Sequence, residues 1–168
     1  MARSLLEDAF THHAWATVRL IEACGALTFE QLAIAPPATF GSILDTLRHI
    51  VRGDTFFLRM LKGRPDTQVD TSGWDLRQLR AAIESNAAEW SALLRENPDP
   101  DAVVRDVDDE GWVRDAPVGM RLAQALHHAG DHRSQVCTAL TTLGIDPPSI
   151  SAMDYGLETG QVAEVYPP

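Results

Sequence analysis

Cysteine is scarce in this 168-residue chain: Cys24 and Cys137 stand alone, and there is no Cys-x-x-Cys pair. A disulfide framework is not implied, and a reducing cytoplasm is the expected compartment. Positive charge is also short. Lys plus Arg number 14 against 24 Asp plus Glu, a formal net charge of -10. That balance repels a phosphate backbone and an anionic membrane surface alike, so neither nucleic acid nor membrane is expected as a partner. Long apolar runs are missing too. No stretch approaches the roughly 18 apolar residues of a membrane span. The opening "MARSLLEDAFTHHAWATV" is broken early by acidic residues and histidines, unlike a signal peptide. There is no GxSxG, no Walker loop, no GxGxxG and no internal repeat, which removes the common signatures of serine hydrolases and nucleotide-binding enzymes.

What is present is helical periodicity. Hydrophobic residues make up 45% of the sequence, the level of a globular protein, and the length suits one domain over residues 1–168. At about residues 3–27, Leu6, Phe10, Thr17, Leu20, Ile21 and Cys24 share one stripe. "TFEQL" reads as a short helix with Thr28 and Gln31 in capping-box positions. "APPATFGS" is a loop, because Pro36 and Pro37 cannot continue a helix. A second long helix is expected over about residues 42–62, with Ile43, Leu47, Ile50, Val51 and Leu58 on a broad apolar face. A third runs over about 74–95, with Leu79, Ile83 and Trp90 inward. "AVVRDVDDEGWVRDAPVG" alternates valine with charge around a turn and reads as a long connection with a short hairpin. The fourth helix runs over about 120–143 and stops at Gly144. From about residue 145 the chain reads as an irregular tail. Four amphipathic helices predict an all-α four-helix bundle.

Three of the six histidines fall in "ALHHAGDHRSQ". On the fourth helix Leu122, Ala125, Ala129, Val136, Ala139, Leu140 and Leu143 define the core stripe, at about 100° per residue. His128 and His132 lie together on its edge with Gln135 close by, whereas His127 falls opposite. Imidazoles at i and i+4 point the same way and suit one metal ion, although two ligands leave a catalytic site incomplete. His49 lies on the flank of the second helix, sharing a sector with Gly53, Phe56 and Met60. Glycine is unfavourable in a helix, yet Gly53 leaves space one turn from the imidazole. His13 lies within the first helix's stripe and His12 does not. The inward candidates are therefore His13, His49, His128 and His132. Cys24 on its core stripe reads as inert. Carboxylates are expected mostly on solvated faces, with Asp131 kept in view beside the histidine pair.

Three stretches carry a family resemblance. They are "HHAWATVRLIEACGALTFEQL", "FGSILDTLRHIVRGDTFFLRMLKG" and "LHHAGDHRSQVCTALTTLGIDPP". Together they resemble the DinB/YfiT-like superfamily of metalloenzymes, whose last helix carries His-x-x-x-His-Arg-Gly-Gln followed by Leu-Gly and a proline pair. Ser134 stands where that family often has glycine. The resemblance implies an up-down-down-up bundle in which His49, His128 and His132 hold one divalent metal, zinc or nickel. It implies His13 as a wall of the pocket, able to accept or relay a proton as a catalytic residue. It also implies a homodimer; Trp15, on the outer side of the first helix, is the residue offered for that contact. Relatives include transferases and isomerases that use a low-molecular-weight thiol, so the expected function is thiol transfer to a small-molecule electrophile. Metal-dependent hydrolysis and a non-catalytic metal- or ligand-binding module are the alternatives. A thiol cofactor's carboxylates would need basic residues, and Arg48, Arg52, Arg121 and Arg133 are the candidates, at positions that read as mostly solvated.

Overall fold

A computed structural model describes residues 4–64, 68–108 and 110–165. The expected first-helix start at residue 3, part of the loop after the second long helix, part of the hairpin turn and the end of the tail lie outside these residues. Helix α1 spans Leu5–Ala23, and Ser4 and Glu7 form its capping box. A 3-10 turn follows at Cys24–Ala26, and the one-turn helix α2 covers Phe29–Leu32 with the Thr28–Gln31 box anticipated from sequence. The next two long helices are α3, Ile43–Leu61, capped by Ser42, and α4, Leu76–Arg95, capped by Asp75. Strands β1, Val103–Val107, and β2, Val113–Pro117, pair antiparallel with Val107 opposite Val113. Helix α5, Val118–Thr142, begins directly after β2, and Gly144 takes a positive φ of 73° just past its end.

Side-chain pairs give the topology. Phe10 meets Trp90 while Glu22 meets Arg80, so α1 and α4 run antiparallel. Arg48 reaches Trp74 and Lys62 reaches Glu89, so α3 and α4 run parallel. Phe40, just before α3, bonds Gln135, and Phe57 near the end of α3 packs on His128, so α3 and α5 are antiparallel. The bundle is up-down-down-up: the crossover joins the parallel α3 and α4, and the hairpin lies in the connection from α4 to α5, which run in opposite directions.

The tail departs from expectation. It contains a sixth helix, α6, Ala152–Glu158, capped by Ser151. Seven residues with Gly156 inside have little helical propensity of their own. Packing supplies the order. Tyr155 lies 5.4 Å from the Trp15 ring, the Trp15 indole N–H donates to Glu158, and Arg19 pairs with Glu158 at 2.8 Å. Trp15 is therefore covered by α6 and is no bare aromatic for a dimer contact. His12, outside the core stripe, donates from Nε2 to the Ile150 carbonyl and ties the tail to α1.

Two apolar clusters fill the bundle. One gathers Leu20, Ile43, Leu47, Leu79, Ile83 and Leu140; the other gathers Phe10, Leu58, Trp90, Leu94 and Leu122. A buried polar layer lies at their boundary. Its hub is Asp54, 3% exposed, on the apolar face of α3. Asp54 accepts from His13 Nε2 at 2.9 Å, Asn86 Nδ2 at 2.8 Å and Trp90 Nε1 at 2.9 Å. Arg133, expected on a solvated face, is also buried: it donates from Nη1 to His13 Nδ1, the His13 carbonyl and Thr17 Oγ1. Arg121 is buried as well, bound to the Val104 and Arg114 carbonyls, and fastens α5 to the hairpin. Among the described residues no helix is long and apolar enough to cross a membrane.

Burial raises the pKa of Asp54, but hydrogen bonds from His13, Asn86 and Trp90 outweigh it and hold the carboxyl below its ordinary value. Asp54→Ala strands three donors in the core, so it should cost about 3–5 kcal/mol, the loss typical of breaking a buried charged pair. Urea unfolding of wild type and variant measures this directly; a loss below about 1 kcal/mol, the net worth of one ordinary hydrogen bond, would show that the layer does not hold the bundle together.

Candidate metal centre

His49 comes from the middle of α3, and His128 and His132 come from successive turns of α5. Each offers one ring nitrogen, and these ligand atoms lie within 4.8 Å of one another. Gly53 makes the approach possible. A Cβ built at Gly53 would overlap the His128 ring, so only glycine lets the imidazole lie against the α3 backbone. The space left by Gly53 is thus filled by the ligand itself. Phe40, in the proline-rich loop, stacks on His49 with ring centres 3.9 Å apart and meets His132 edge-on at 5.5 Å. Phe57 lies edge-on to His128, while Phe56, which shares the His49 sector, packs on Phe57 and Met60 is buried.

Hydrogen bonds assign the tautomers. Gln135 Oε1 accepts from the Phe40 backbone N–H at 2.9 Å and from His132 Nδ1 at 3.1 Å. His132 therefore carries its hydrogen on Nδ1 and presents the Nε2 lone pair. Arg52 Nη2 donates to His49 Nδ1 at 3.0 Å, so the hydrogen of His49 sits on Nε2 and points to His128 Nε2, 2.9 Å away. Burial first, then the neighbouring imidazoles and Arg52, push His49 down to about 4. Burial, His132 and Arg52 push His128 to about 4 as well, Asp131 opposing weakly. Both rings are neutral near pH 7, the form that ligates a metal. Three converging imidazoles, with His132 held by an outer hydrogen bond to Gln135, fit a divalent ion of the borderline class.

The other candidates separate clearly. His127 faces solvent and pairs with Asp131 at 3.4 Å, so Asp131 is turned away from the histidine group. His13 is not one of the three. It is 1% exposed, and both of its ring nitrogens are engaged, Nε2 by Asp54 and Nδ1 by Arg133. These bonds hold the ring within the polar layer around Asp54. Burial pushes the Cys24 thiol up to about 12, consistent with an inert core residue. Sequence reasoning missed Phe40, whose loop position carries no periodic signal, and Asp54. The signal for Asp54 was its place at i+3 and i+4 from Val51 and Ile50, on the apolar face.

Fold and site together define a helical bundle that presents, between two antiparallel helices, a group of three histidines able to hold a metal ion. The DinB family model matches residues 1–161, and the chain belongs to the DinB family. Its fold is similar to that of a DinB-like protein from Bacillus subtilis, with a TM-score of 0.63 at 16% identity, covering 88% of this chain and 99% of that one. No curated protein matches the sequence.

Two expectations follow. Gly53→Ala should sharply lower bound zinc or nickel, measured by elemental analysis of untagged protein, while circular dichroism stays helical; alanine gains about 1 kcal/mol of helix propensity over glycine. Full metal content in the variant would refute the close-approach argument. With metal chelated, His49 and His128 stay neutral in the folded chain down to about pH 4 but protonate near 6.5 when unfolded. The unfolded state then binds more protons in that window, so stability is complete above 6.5 and falls towards 4. Urea midpoints against pH should show this slope, flattened in the His49→Gln, His128→Gln double variant; an unchanged slope would contradict it.

Proposed function

We propose that the chain is a metal-dependent enzyme that transfers a low-molecular-weight thiol to a small electrophile, with zinc or nickel held by His49, His128 and His132. The observation that supports this is the ligand set: three imidazoles, and no fourth His, Cys, Asp or Glu grouped with them among the described residues. A closed structural site needs four protein ligands, whereas a catalytic site keeps a position open. A divalent ion on three neutral ligands keeps its charge and would lower the pKa of a thiol or water placed there.

The chain's own residues give that position its surroundings. A cleft of about 200 Å³ adjoins His49 and is lined by Phe40, Arg48, Arg52 and Thr71, with Asp45 and Asp70 at its edge. Arg48 and Arg52 line this cleft and are the basic residues placed for a thiol cofactor's carboxylate, whereas Arg121 binds the hairpin carbonyls and Arg133 lies on the α1 side of α5. Phe40 shields one face of His49 from water. His13 serves as a positioning residue through Asp54.

The test is a panel of small thiols with electrophilic acceptors, run with wild-type, metal-free and His49→Ala protein. Product that needs metal and is lost in His49→Ala supports the reading. A cobalt-substituted site whose spectrum ignores a saturating thiol overturns it, and leaves metal-dependent hydrolysis or non-catalytic binding.

A further inference from the structure

On the other side of α5 from the histidine pair lies a larger cleft, about 510 Å³, enclosed by α1, α5 and α6. Ala9, Leu126, Met153 and Val162 supply apolar wall. The far wall is fixed in place: the backbone N–H groups of Gln161 and Val162 both donate to the Gly156 carbonyl, at 2.7 and 2.9 Å. Gly156 carries no side chain because a Cβ there would overlap Val162. The segment thus closes as a packed element, and His12 holds its start through the Ile150 carbonyl.

At one end of this cleft sits Arg133, 7% exposed. All of its hydrogen bonds to described residues leave from Nη1, toward His13 and Thr17. Nε and Nη2 have no hydrogen-bond partner among the described residues, although the side chain is more than nine-tenths buried. Nη2 lies over Gly130, where the helix has no side chain; a Cβ there would stand 4.0 Å from it. Burial pushes the guanidinium down to about 10, with Asp54 only partly opposing. Asp54 itself is already met by His13, Asn86 and Trp90. A buried cation with spare donors beside an apolar wall is complementary to a planar carboxylate. Asp8, the acidic lining residue, lies five positions before His13, about 7 Å along α1.

We propose that this cleft is a second small-molecule site, which takes a carboxylate carried on a compact apolar body, with the carboxylate on the Nε and Nη2 edge of Arg133. It does not depend on the metal centre, because Arg133 and Leu126 face α1 whereas His128 and His132 face α3. Benzoate is the probe, with benzamide and benzylamine as isosteric neutral and cationic controls. Calorimetry on the whole chain, with metal present and with metal chelated, should give saturable benzoate binding that is the same in both, with benzamide at least about tenfold weaker, as expected when a charge-assisted pair is replaced by neutral bonds. Ala9→Phe fills the cleft from α1 and leaves His49, His128 and His132 unchanged. It should abolish benzoate binding while helix content and metal stoichiometry are retained. Arg133→Gln should equalise benzoate and benzamide. Absence of saturable binding, equal binding of benzamide to wild type, binding undiminished in Ala9→Phe, or binding lost on chelation would each overturn the proposal. The last of these would place the anion on the metal.

Discussion

Asp54 keeps a negative charge where α1, α3 and α4 meet, at 3% exposure. A buried carboxylate is costly unless every lone pair finds a donor. Here the donors come from three directions, His13 on α1 and Asn86 and Trp90 on α4, and Arg133 on α5 is joined through His13. The angular demands of these bonds fix the rotation of each helix about its own axis. Apolar packing alone would tolerate small rotations and slides, because hydrophobic attraction has no direction. The polar layer does not.

That rotation sets the metal group. His49 lies five residues before Asp54 on α3, and His132 immediately precedes Arg133 on α5. Locking Asp54 and Arg133 inward turns the flanks of α3 and α5 toward each other, with Gly53 removing the last obstruction. The imidazoles sit on helices rather than loops, and Gln135 fixes one ring while Phe40 covers another. Ligands held this way meet an ion with little reorganisation.

The long helices, the Thr28–Gln31 capping box and the hairpin were legible in the sequence because each rests on local periodicity or turn chemistry. The histidine pair was legible for the same reason: i and i+4 on one helix is a local fact. His49 needed the flank argument, and the resemblance joined it to the pair. What escaped is non-local. Helix α6 is ordered by Trp15 and Arg19, more than a hundred residues away. Arg133 and Asp54 read as surface charges because charged residues are rarely buried; their burial depends on partners from other helices. Both do occupy core-stripe positions, Arg133 four residues after Ala129 and three before Val136. A charge on an apolar stripe was the available signal.

The hydrogen bond from Arg52 to His49 Nδ1 carries a further consequence, for selectivity among ions. If His49 ligates through Nδ1, its lone pair is no longer open to Arg52. If it ligates through Nε2, the hydrogen moves to Nδ1 and faces the guanidinium donors. Either way the arginine must let go, and a divalent ion also repels it. Any ion held by these histidines would therefore meet the same entry cost. Magnesium and calcium, which prefer oxygen, gain too little from imidazole to meet it. Ions with strong affinity for nitrogen do. Arg52 would thus lower every ion's affinity alike, leaving only the more strongly nitrogen-bonding ions with enough affinity to occupy the group.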